Sequence, residues 1–373
     1  GPVVPLYALA AVGSAAGRPC GNRSFGDRPA MNRTLALAFM SCNRIDGVER
    51  SLESVLAQTL EDIDVVVSDD ASDDGTFERL GEVLARYDGP KRIRLRRNAR
   101  RLGVVGHFNA IMAETQADYV MFAHDDDFSE PGRAAAVLAA IAGAPRPPGA
   151  VFHHARQLDP AAAGGAVGPG RRIEVWPQSV PVTAEEVARR GGNIVGAVAT
   201  YSRRVFSEFG PLPPEAHFED SGALFRAALL GDAILLDAAL VGKRTHEGAL
   251  TGGTSVGASR SGHAARAANL RNMRNLRAVP DVWRRDLETY GDRLPGGEAR
   301  RIRLEALLLA LRERVDAEIG LLERRPDALW YWTRRLAGRR TTLREYLKMV
   351  LFAWFPELWR RYVALRDPGQ GGR

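Results

Sequence analysis

The feature that most constrains this chain is a set of short apolar runs that each end in polar or acidic residues. The clearest run is residues 119–123, Tyr-Val-Met-Phe-Ala, which leads directly into residues 124–127, His-Asp-Asp-Asp. An uninterrupted apolar run of this length is typical of a strand buried on both faces of a sheet. Three adjacent carboxylates repel one another unless a cation or protons neutralise them.

Two interpretations of this acidic strand end follow from its chemistry. Hard divalent cations such as Mg²⁺ and Mn²⁺ prefer oxygen ligands and commonly share their coordination with a substrate phosphate. The stretch therefore indicates a metal–diphosphate site. The alternative is a solvated acidic turn before a helix, with Ser129 or Asp127 as the capping residue.

Strand-like and helical patterns alternate along the first part of the chain. They cover residues 35–40, 48–56, 63–67, 76–87, 92–95, 107–115 and 119–123. This alternation predicts an α/β fold with a mostly parallel central sheet and flanking helices, in which ligands bind at the carboxyl ends of the strands. No Gly-x-Gly-x-x-Gly or Gly-Lys-Ser/Thr motif follows the first strand, which argues against dinucleotide-binding and P-loop enzymes.

The composition limits the ligands and the cellular compartment that we expect for this chain. The chain has 373 residues, is 45% hydrophobic and carries a formal net charge of +7. A basic balance fits phosphorylated ligands, an anionic membrane surface or nucleic acid. The two cysteines, Cys20 and Cys42, lie in unlike contexts, so we expect no disulfide framework and a reducing cytoplasm. No apolar stretch approaches the roughly 20 residues that a spanning helix needs.

The two ends of the chain differ in character from its centre. Residues 1–30 are rich in Gly, Ala and Pro and lack the charged start of a signal peptide, so we expect a poorly ordered leader or tag remnant. Residues 261–373 are basic and helical in pattern, which predicts a helical C-terminal extension. Its aromatic segment at 349–356 fits either a helix packed on the domain or on a second subunit, or an interfacial segment on an anionic membrane.

The motifs of the central part resemble those of the family 2 inverting glycosyltransferases with the GT-A fold. The resemblance lies in residues 38–44, 67–76, 98–109 and 124–127, in this order and at the spacing of the family. It implies a GT-A catalytic domain over 31–260, with a nucleotide-sugar-binding half at 31–130 and an acceptor half at 131–260. It also implies a nucleotide-diphosphate-sugar donor, Mn²⁺ or Mg²⁺, and an acceptor hydroxyl or amine.

The resemblance also assigns residues to the donor site. Its implied donor-binding positions are Asn43, Arg44, Asp69, Asp70, Arg101, Gly103, His124 and Asp125. Its implied metal ligands are Asp126, Asp127 and His246, with Asp126 the central one. The chain departs from the family at one point. Counting back from Pro131, His124 stands where the first aspartate of the Asp-x-Asp motif normally does, unless the motif has moved by one and Asp125 and Asp127 take those roles.

Two acids begin a predicted helix in the acceptor half. Inverting transfer needs a carboxylate that removes the proton of the attacking acceptor group. The resemblance implies that Asp220 is this base, with Glu219 as the second candidate. The alternative is that both acids only favour the positive end of the helix dipole. Lys243 or Arg244 would neutralise the departing diphosphate, and residues 248–260 would form a lid.

Other classes remain as alternatives. A sugar nucleotidyltransferase would use similar strand-end acids but normally has a Gly-rich basic loop after the first strand, which Ser41, Cys42, Asn43 and Arg44 do not form. A non-catalytic nucleotide-binding module with the same fold is the third alternative. Nucleic acid is disfavoured because no recognition motif accompanies the basic residues. We expect a saccharide, lipid-linked or natural-product acceptor, and a cytoplasmic enzyme that either stays free, binds peripherally at the inner face of the membrane, or forms a homodimer.

Overall fold

The computed structural model describes residues 23–25, 34–158, 171–191, 196–231, 233–244, 262–338, 341–359 and 361. Within them, one sheet runs through the molecule and helices cover both of its faces. Its strands are β1 (Arg23–Phe25), β2 (Leu35–Ser41), β3 (Asp64–Asp69), β4 (Arg92–Arg97), β5 (Tyr119–His124), β6 (Asp127–Ser129), β7 (Ala150–Gln157), β8 (Arg171–Ile173), β9 (Ala199–Ser202) and β10 (Ala233–Lys243). They lie in the order β1-β4-β3-β2-β5-β9-β7-β10-β6, with β8 paired to β7.

The predicted α/β fold is confirmed, but the sheet is mixed rather than mostly parallel. The strands β4, β3, β2 and β5 are parallel neighbours, as the strand–helix alternation predicts. Then β9 pairs antiparallel with both β5 and β7, and β6 pairs antiparallel with β10. The carboxyl ends of β2, β3 and β5 therefore meet at one edge, which is where α/β folds bind ligands.

The helices continue the alternation and then form the C-terminal part. The longer ones are α1 (Val48–Leu56), α2 (Thr76–Ala85), α3 (Gly103–Glu114), α4 (Arg133–Gly143), α5 (Ala184–Arg190), α6 (Arg204–Ser207), α7 (Glu219–Gly231), α8 (Gly262–Leu276), α9 (Val279–Tyr290), α10 (Gly297–Leu322), α11 (Pro326–Ala337) and α12 (Leu343–Trp354).

The central strands separate two hydrophobic cores. Along β2, Leu35, Leu37 and Phe39 face one core, while Ala38 and Met40 face the other. The first core is completed by α1, α2 and α4, and the second by α3, α7, α9 and α10. Since successive strand residues point to opposite faces, a run buried on both faces must be apolar at every position. This is why these strands are continuous apolar runs.

The C-terminal helices share a core with the acceptor half. Trp283 of α9 is fully buried, stacks on Phe225 of α7 at 5.1 Å between ring centroids, and donates its indole N–H to the Ser221 carbonyl at 2.8 Å. A buried ion pair joins Arg226 of α7 to Asp286 of α9 at 2.9 Å. Helix α9 therefore packs against α7 and forms a hydrogen bond with its first turn. Part of the predicted C-terminal extension thus shares a hydrophobic core with the helix that carries the candidate base.

Several element boundaries differ from their sequence predictions. Residues Arg23–Phe25 of the predicted leader pair antiparallel with β4 and are not irregular. Helix α3 begins at Gly103, four residues before the predicted start. In the apolar stretch at 196–202, Gly196–Val198 form a short 3-10 turn and only Ala199–Ser202 form a strand, β9. Strand β10 extends to Lys243 because register shifts after Leu236 and Ala239 restore its pairing with β7.

The part of the chain that the structure describes holds no helix long and apolar enough to cross a membrane.

Candidate active site

The carboxyl end of β5 brings three potential metal ligands together. Ligand atoms of His124, Asp126 and Asp127 all lie within 4.8 Å of one another. Two of their buried atoms, Nε2 of His124 and Oδ1 of Asp127, have no hydrogen-bond partner among the described residues. A buried polar atom without a partner is energetically costly, so two of them at one place indicate a missing ligand.

A divalent cation fits this group. Two carboxylates and an imidazole supply oxygen and nitrogen ligands, and a bound diphosphate would complete the coordination of Mn²⁺ or Mg²⁺. The predicted pair Asp126 and Asp127 is thus brought together, with His124 beside it. The third predicted metal ligand, His246, lies outside the described residues, as do residues 248–260 of the predicted lid.

Two basic residues at the end of β10 face the same group. Because Lys243 pairs with Asp127 in the antiparallel β10–β6 ladder, its ammonium lies 2.9 Å from Asp127 Oδ2. Burial lowers the pKa of Lys243, but Asp127 and Asp126 outweigh that effect, and its pKa is raised. The Arg244 guanidinium donates to the Asp126 carbonyl at 3.4 Å and stacks over the Phe128 ring. The structure therefore keeps two cations beside the acidic strand end.

Asp125 points away from the metal-ligand group. Its Oδ2 accepts hydrogen bonds from the Ser41 hydroxyl and the Cys42 backbone N–H, both at 2.9 Å. Arg44 Nε lies 3.9 Å from its other oxygen. Burial, reinforced by the neighbouring Asp126 charge, raises the pKa of Asp125 to about 6. Asp125 thus ties the end of β5 to the loop after β2, on the predicted donor side.

The two acids of α7 lie in its first turn and are buried. Glu219 Oε1 lies 3.6 Å from His124 Nε2, and both side chains approach the backbone of Gly196. A Cβ at position 196 would come within 2.0 Å of Glu219 Oε1, so only glycine leaves room for this approach. The acceptor half therefore places Glu219 in contact distance of the metal-ligand group.

Asp220, the predicted base, is held by its own helix. Its Oδ1 accepts from the Ser221 backbone N–H at 2.6 Å, as a carboxylate at a helix N-terminus does. Burial and the neighbouring Glu219 charge raise the pKa of Asp220 well above its ordinary value. Lys243 acts in the opposite direction on this carboxyl. A carboxylate with a raised pKa accepts a proton more readily, which suits a general base.

The acids at the end of β3 have a different environment. Both oxygens of Asp69 accept from Ser72, one from its backbone N–H at 2.9 Å and the other from its hydroxyl. Arg97 Nε lies 3.5 Å from Asp69 Oδ1. Asp69 has no exposed surface. In this structure Asp69 therefore shapes the turn after β3.

Asp70 is surrounded by donors as well. It accepts from Asn98 Nδ2 at 2.7 Å and from the backbone N–H groups of Leu102 and Gly103, both at 2.8 Å. Gly103 begins α3 with φ of +73°, a conformation that favours glycine. Asp70 therefore fixes the loop at 98–103 to the end of β3, and α3 begins from that loop at Gly103.

A buried polar network stands behind Asp70 that the sequence analysis did not identify. The Ser68 hydroxyl lies 2.6 Å from His107 Nε2 and accepts from Arg96 at 2.7 Å, while Arg96 also donates to Asn98. Burial lowers the pKa of His107 to about 4. The available signal was Ser68, a buried polar residue that directly follows the apolar run at 65–67 of β3.

The loops after β2 and β3 are joined to each other. Asn43, with φ of +51°, donates its backbone N–H to the Ser72 hydroxyl and its side-chain amide to Asp73, both at 2.8 Å. The Arg44 backbone N–H donates to the Thr76 hydroxyl at 2.8 Å. Arg101 is exposed and lies 3.7 Å from Asp73. The predicted donor-binding residues Asn43, Arg44 and Arg101 thus border one loop cluster.

Arg133 is a second residue that sequence reasoning missed. Its fully buried guanidinium donates to the carbonyls of Phe122 and Ala197, both at 2.7 Å, to the Ser129 hydroxyl and to His153 Nε2 at 2.8 Å. It therefore connects the end of β5 to the turn before β9. His154 instead faces Gln178, so the adjacent histidines have separate partners.

Comparison with known proteins agrees with this architecture. Residues 39–152 match the model of Glycosyl transferase family 2. An uncharacterised protein of Mycobacterium tuberculosis is 28% identical over 95 residues, which cover 25% of this chain and 27% of that protein. EpsE of Bacillus subtilis, a candidate glycosyltransferase, is 28% identical over 100 residues, which cover 27% of this chain and 34% of that protein. The matched stretches thus span about a quarter to a third of these relatives.

Solved structures resemble the chain over most of its length. TarS residues 1–349 of S. aureus, in complex with UDP-GlcNAc, has a TM-score of 0.52 at 15% identity, covering 90% of this chain and 92% of that one. The mannosyltransferase PcManGT of Pyrobaculum calidifontis, in complex with GDP-Man and Mn²⁺, has a TM-score of 0.52 at 15% identity, covering 88% of both chains. The fold is that of the GT-A glycosyltransferases. Within this fold, residues 39–152 are the part that is similar to Glycosyl transferase family 2.

Proposed function

We propose that this protein transfers a sugar from a nucleotide-diphosphate-sugar donor to an acceptor hydroxyl or amine, with inversion at the anomeric carbon and with a divalent cation. The observation that carries the proposal is the grouping of His124, Asp126 and Asp127 beside Lys243, in which His124 Nε2 and Asp127 Oδ1 are buried without a hydrogen-bond partner among the described residues. The family match and the nucleotide-sugar complexes of TarS and PcManGT support the choice of donor class.

The donor half of the reaction would be organised by charge. A diphosphate placed against the acidic strand end needs positive charge, and Lys243 and Arg244 supply it from the end of β10. A bound Mn²⁺ or Mg²⁺ would neutralise the charge that develops on the leaving diphosphate. The nucleoside would lie towards the loops that carry Asn43, Arg44 and Arg101, since Asp125 ties β5 to that side.

The acceptor half of the reaction would be carried by α7. As the acceptor oxygen or nitrogen forms its bond to the anomeric carbon, the bond from that carbon to the diphosphate breaks, and the acceptor proton moves to Asp220. Its raised pKa matches this role. Glu219, which lies 3.6 Å from His124, is the second candidate. Arg226, Asp286 and Trp283 hold this helix in place behind the reacting groups.

The experiment that tests the proposal is a thermal-shift screen of nucleoside diphosphates with Mn²⁺, with Mg²⁺ and with EDTA. We expect one nucleoside diphosphate to raise the melting temperature in the presence of metal and to lose this effect in EDTA. Stabilisation by nucleoside triphosphates, with pyrophosphate release when a sugar phosphate is added, would favour a nucleotidyltransferase instead. The absence of any nucleotide response would contradict the glycosyltransferase proposal.

The acceptor and the surroundings of the enzyme belong to the same proposal. We expect a saccharide, lipid-linked or natural-product acceptor. The alternatives for the C-terminal helices, contact with an anionic membrane or with a second copy, both need an exposed apolar surface. The side chains that support them are Trp330, Leu343, Leu347, Phe355 and Leu358, each more than half exposed. Vesicle co-sedimentation and measurement of the molecular mass in solution separate the two.

A further inference from the structure

His124 is the residue at which this chain departs from the family that it resembles. Its position is set by the distance to Pro131, and it stands where an aspartate is expected. Strand β5 ends at His124, so the imidazole begins the turn that carries Asp126 and Asp127. A nitrogen ligand in place of an oxygen ligand would change which cation the site prefers.

The geometry at His124 leaves one ring nitrogen without a partner. About a quarter of the side chain is exposed, yet the Nε2 atom itself is buried and makes no hydrogen bond among the described residues. Asp127 Oδ1 is buried and unpartnered in the same group, although Asp127 Oδ2 is bound by Lys243. A single cation bound by both residues would give each of these atoms a partner.

We propose that His124 is a metal ligand through a ring nitrogen and that it makes the site prefer Mn²⁺ over Mg²⁺. Mg²⁺ requires oxygen ligands in near-ideal octahedral geometry, while first-row transition cations accept imidazole. The inference rests on the proposed function insofar as that function needs a divalent cation. It goes further by naming the ligand and the selectivity that it produces.

A different role for His124 would be an ion pair with Glu219. The separation of Nε2 and Oε1 is 3.6 Å, which is too long for a hydrogen bond. An imidazolium at this position would also repel a cation bound to Asp126 and Asp127. The two roles are therefore exclusive, and direct detection of a nitrogen ligand distinguishes them.

The test uses the full chain with Mn²⁺ and inorganic pyrophosphate, which imitates the donor diphosphate without requiring the base to be known. Electron spin-echo modulation from ¹⁴N reports whether an imidazole is bound to Mn²⁺. His246 could supply such a signal too, so the comparison is made in a His246→Asn background. The variants are His124→Asn, which removes the ligand, and His263→Asn, a matched control at an exposed histidine.

We expect the ¹⁴N modulation in the His246→Asn protein and in its His263→Asn control, and its loss when His124→Asn is added. A second measurement uses His124→Asp, which restores the residue type of the family. Competition of Mg²⁺ against bound Mn²⁺ should then shift about tenfold towards Mg²⁺. Melting curves of the variants in EDTA verify that they fold.

The outcomes separate this inference from the proposed function. If Mn²⁺ binds but the ¹⁴N modulation does not depend on His124, the ligand assignment is wrong while metal-dependent transfer still stands. An unchanged Mn²⁺ to Mg²⁺ preference in His124→Asp overturns the selectivity. If the wild-type chain with pyrophosphate binds neither cation, the inference and the metal-dependent function both fall.

Discussion

The ends of β3 and β5 are two acidic strand ends at the same edge of the sheet, yet the hydrogen bonding of their side chains differs. At the end of β3, both oxygens of Asp69 and both oxygens of Asp70 accept hydrogen bonds from nearby side chains and backbone N–H groups. At the end of β5, Asp127 Oδ1 and His124 Nε2 are buried and have no such partner in the part of the chain that the structure describes.

This difference separates carboxylates whose hydrogen bonds stabilise a loop from side chains that keep buried atoms without a partner among the described residues. A carboxylate satisfied by backbone N–H groups stabilises a turn, and its removal should affect folding more than binding. A carboxylate crowded by like charges destabilises the metal-free protein and is tolerated at functional sites. Substitutions at the two strand ends should therefore have opposite consequences.

The largest expected effect is the loss of transfer in Asp126→Ala. Removing this carboxylate should lower kcat/KM on the order of 10⁴-fold, since a catalytic metal supplies several kcal/mol of charge stabilisation. The melting temperature in EDTA should not fall, because burial raises the pKa of both Asp125 and Asp127 and the Asp126 charge adds to that effect by repulsion. Initial-rate kinetics and calorimetry on one preparation measure both quantities. If this variant turns over donor at the wild-type rate, Asp126 is not the central metal ligand.

The second-largest expected effect is the loss of turnover in Asp220→Asn. We expect kcat to fall on the order of 10³-fold, within the usual range for loss of a general base. Donor and Mn²⁺ affinity should stay within a few-fold of wild type, as measured by calorimetry. Glu219→Gln is the matched comparison at the neighbouring position. If Asp220→Asn loses donor binding but keeps its turnover rate, Asp220 is not the base.

Asp70→Ala should act mainly on stability. It leaves Asn98 and the N–H groups of Leu102 and Gly103 without their acceptor, at a cost of about 2 kcal/mol in the free energy of unfolding. Urea denaturation measures this cost, and metal affinity with pyrophosphate should remain unchanged. If the variant keeps its full stability but loses metal binding, Asp70 does not act mainly on stability and the proposed difference between the two strand ends is wrong.

The smallest expected effect is a pH dependence from His107. Burial lowers its pKa to about 4 from 6.5, so the unfolded chain takes up the proton first as the pH falls. The neutral His107 ring therefore makes its full contribution to the free energy of unfolding above pH 6.5. This contribution is lost as the pH falls towards 4, and about 1 kcal/mol of it is lost at pH 5.5. His107→Asn should flatten this slope in urea titrations at successive pH values. An unchanged slope would mean that His107 already titrates normally.

The fold of the first half was readable from the sequence because its strands are apolar on both faces. The strands β2, β3 and β5 and the helices between them lie where periodicity predicted, within a few residues. The second half was less readable. Strand β9 has only four residues, and β10 continues through two register shifts past the exposed Asp237. Short strands and irregular pairing leave no periodic pattern to detect.

The candidate site was likewise only partly predictable from the sequence. Sequence patterns located the acids at 69–70, 124–127 and 219–220, and the structure places them at the strand ends and the helix start that were expected. The hydrogen-bond and ion-pair partners around the site could not be predicted from the sequence. Lys243 is 116 residues from Asp127, and Arg133 reaches Ala197 across 64 residues. Contacts of such separation depend on how the strands are ordered in the sheet.

The sequence by itself determined that apolar strands end in acids, because burial on both faces demands apolar residues and ligand sites demand charge. Only the tertiary structure decided which of those acids are satisfied. Asp70 accepts hydrogen bonds from the loop before α3. The group at His124, Asp126 and Asp127 is contacted by Lys243, and two of its buried atoms have no hydrogen-bond partner within the described ranges. Hydrogen-bond satisfaction depends on distance and direction in space, and residue identity along the chain specifies neither.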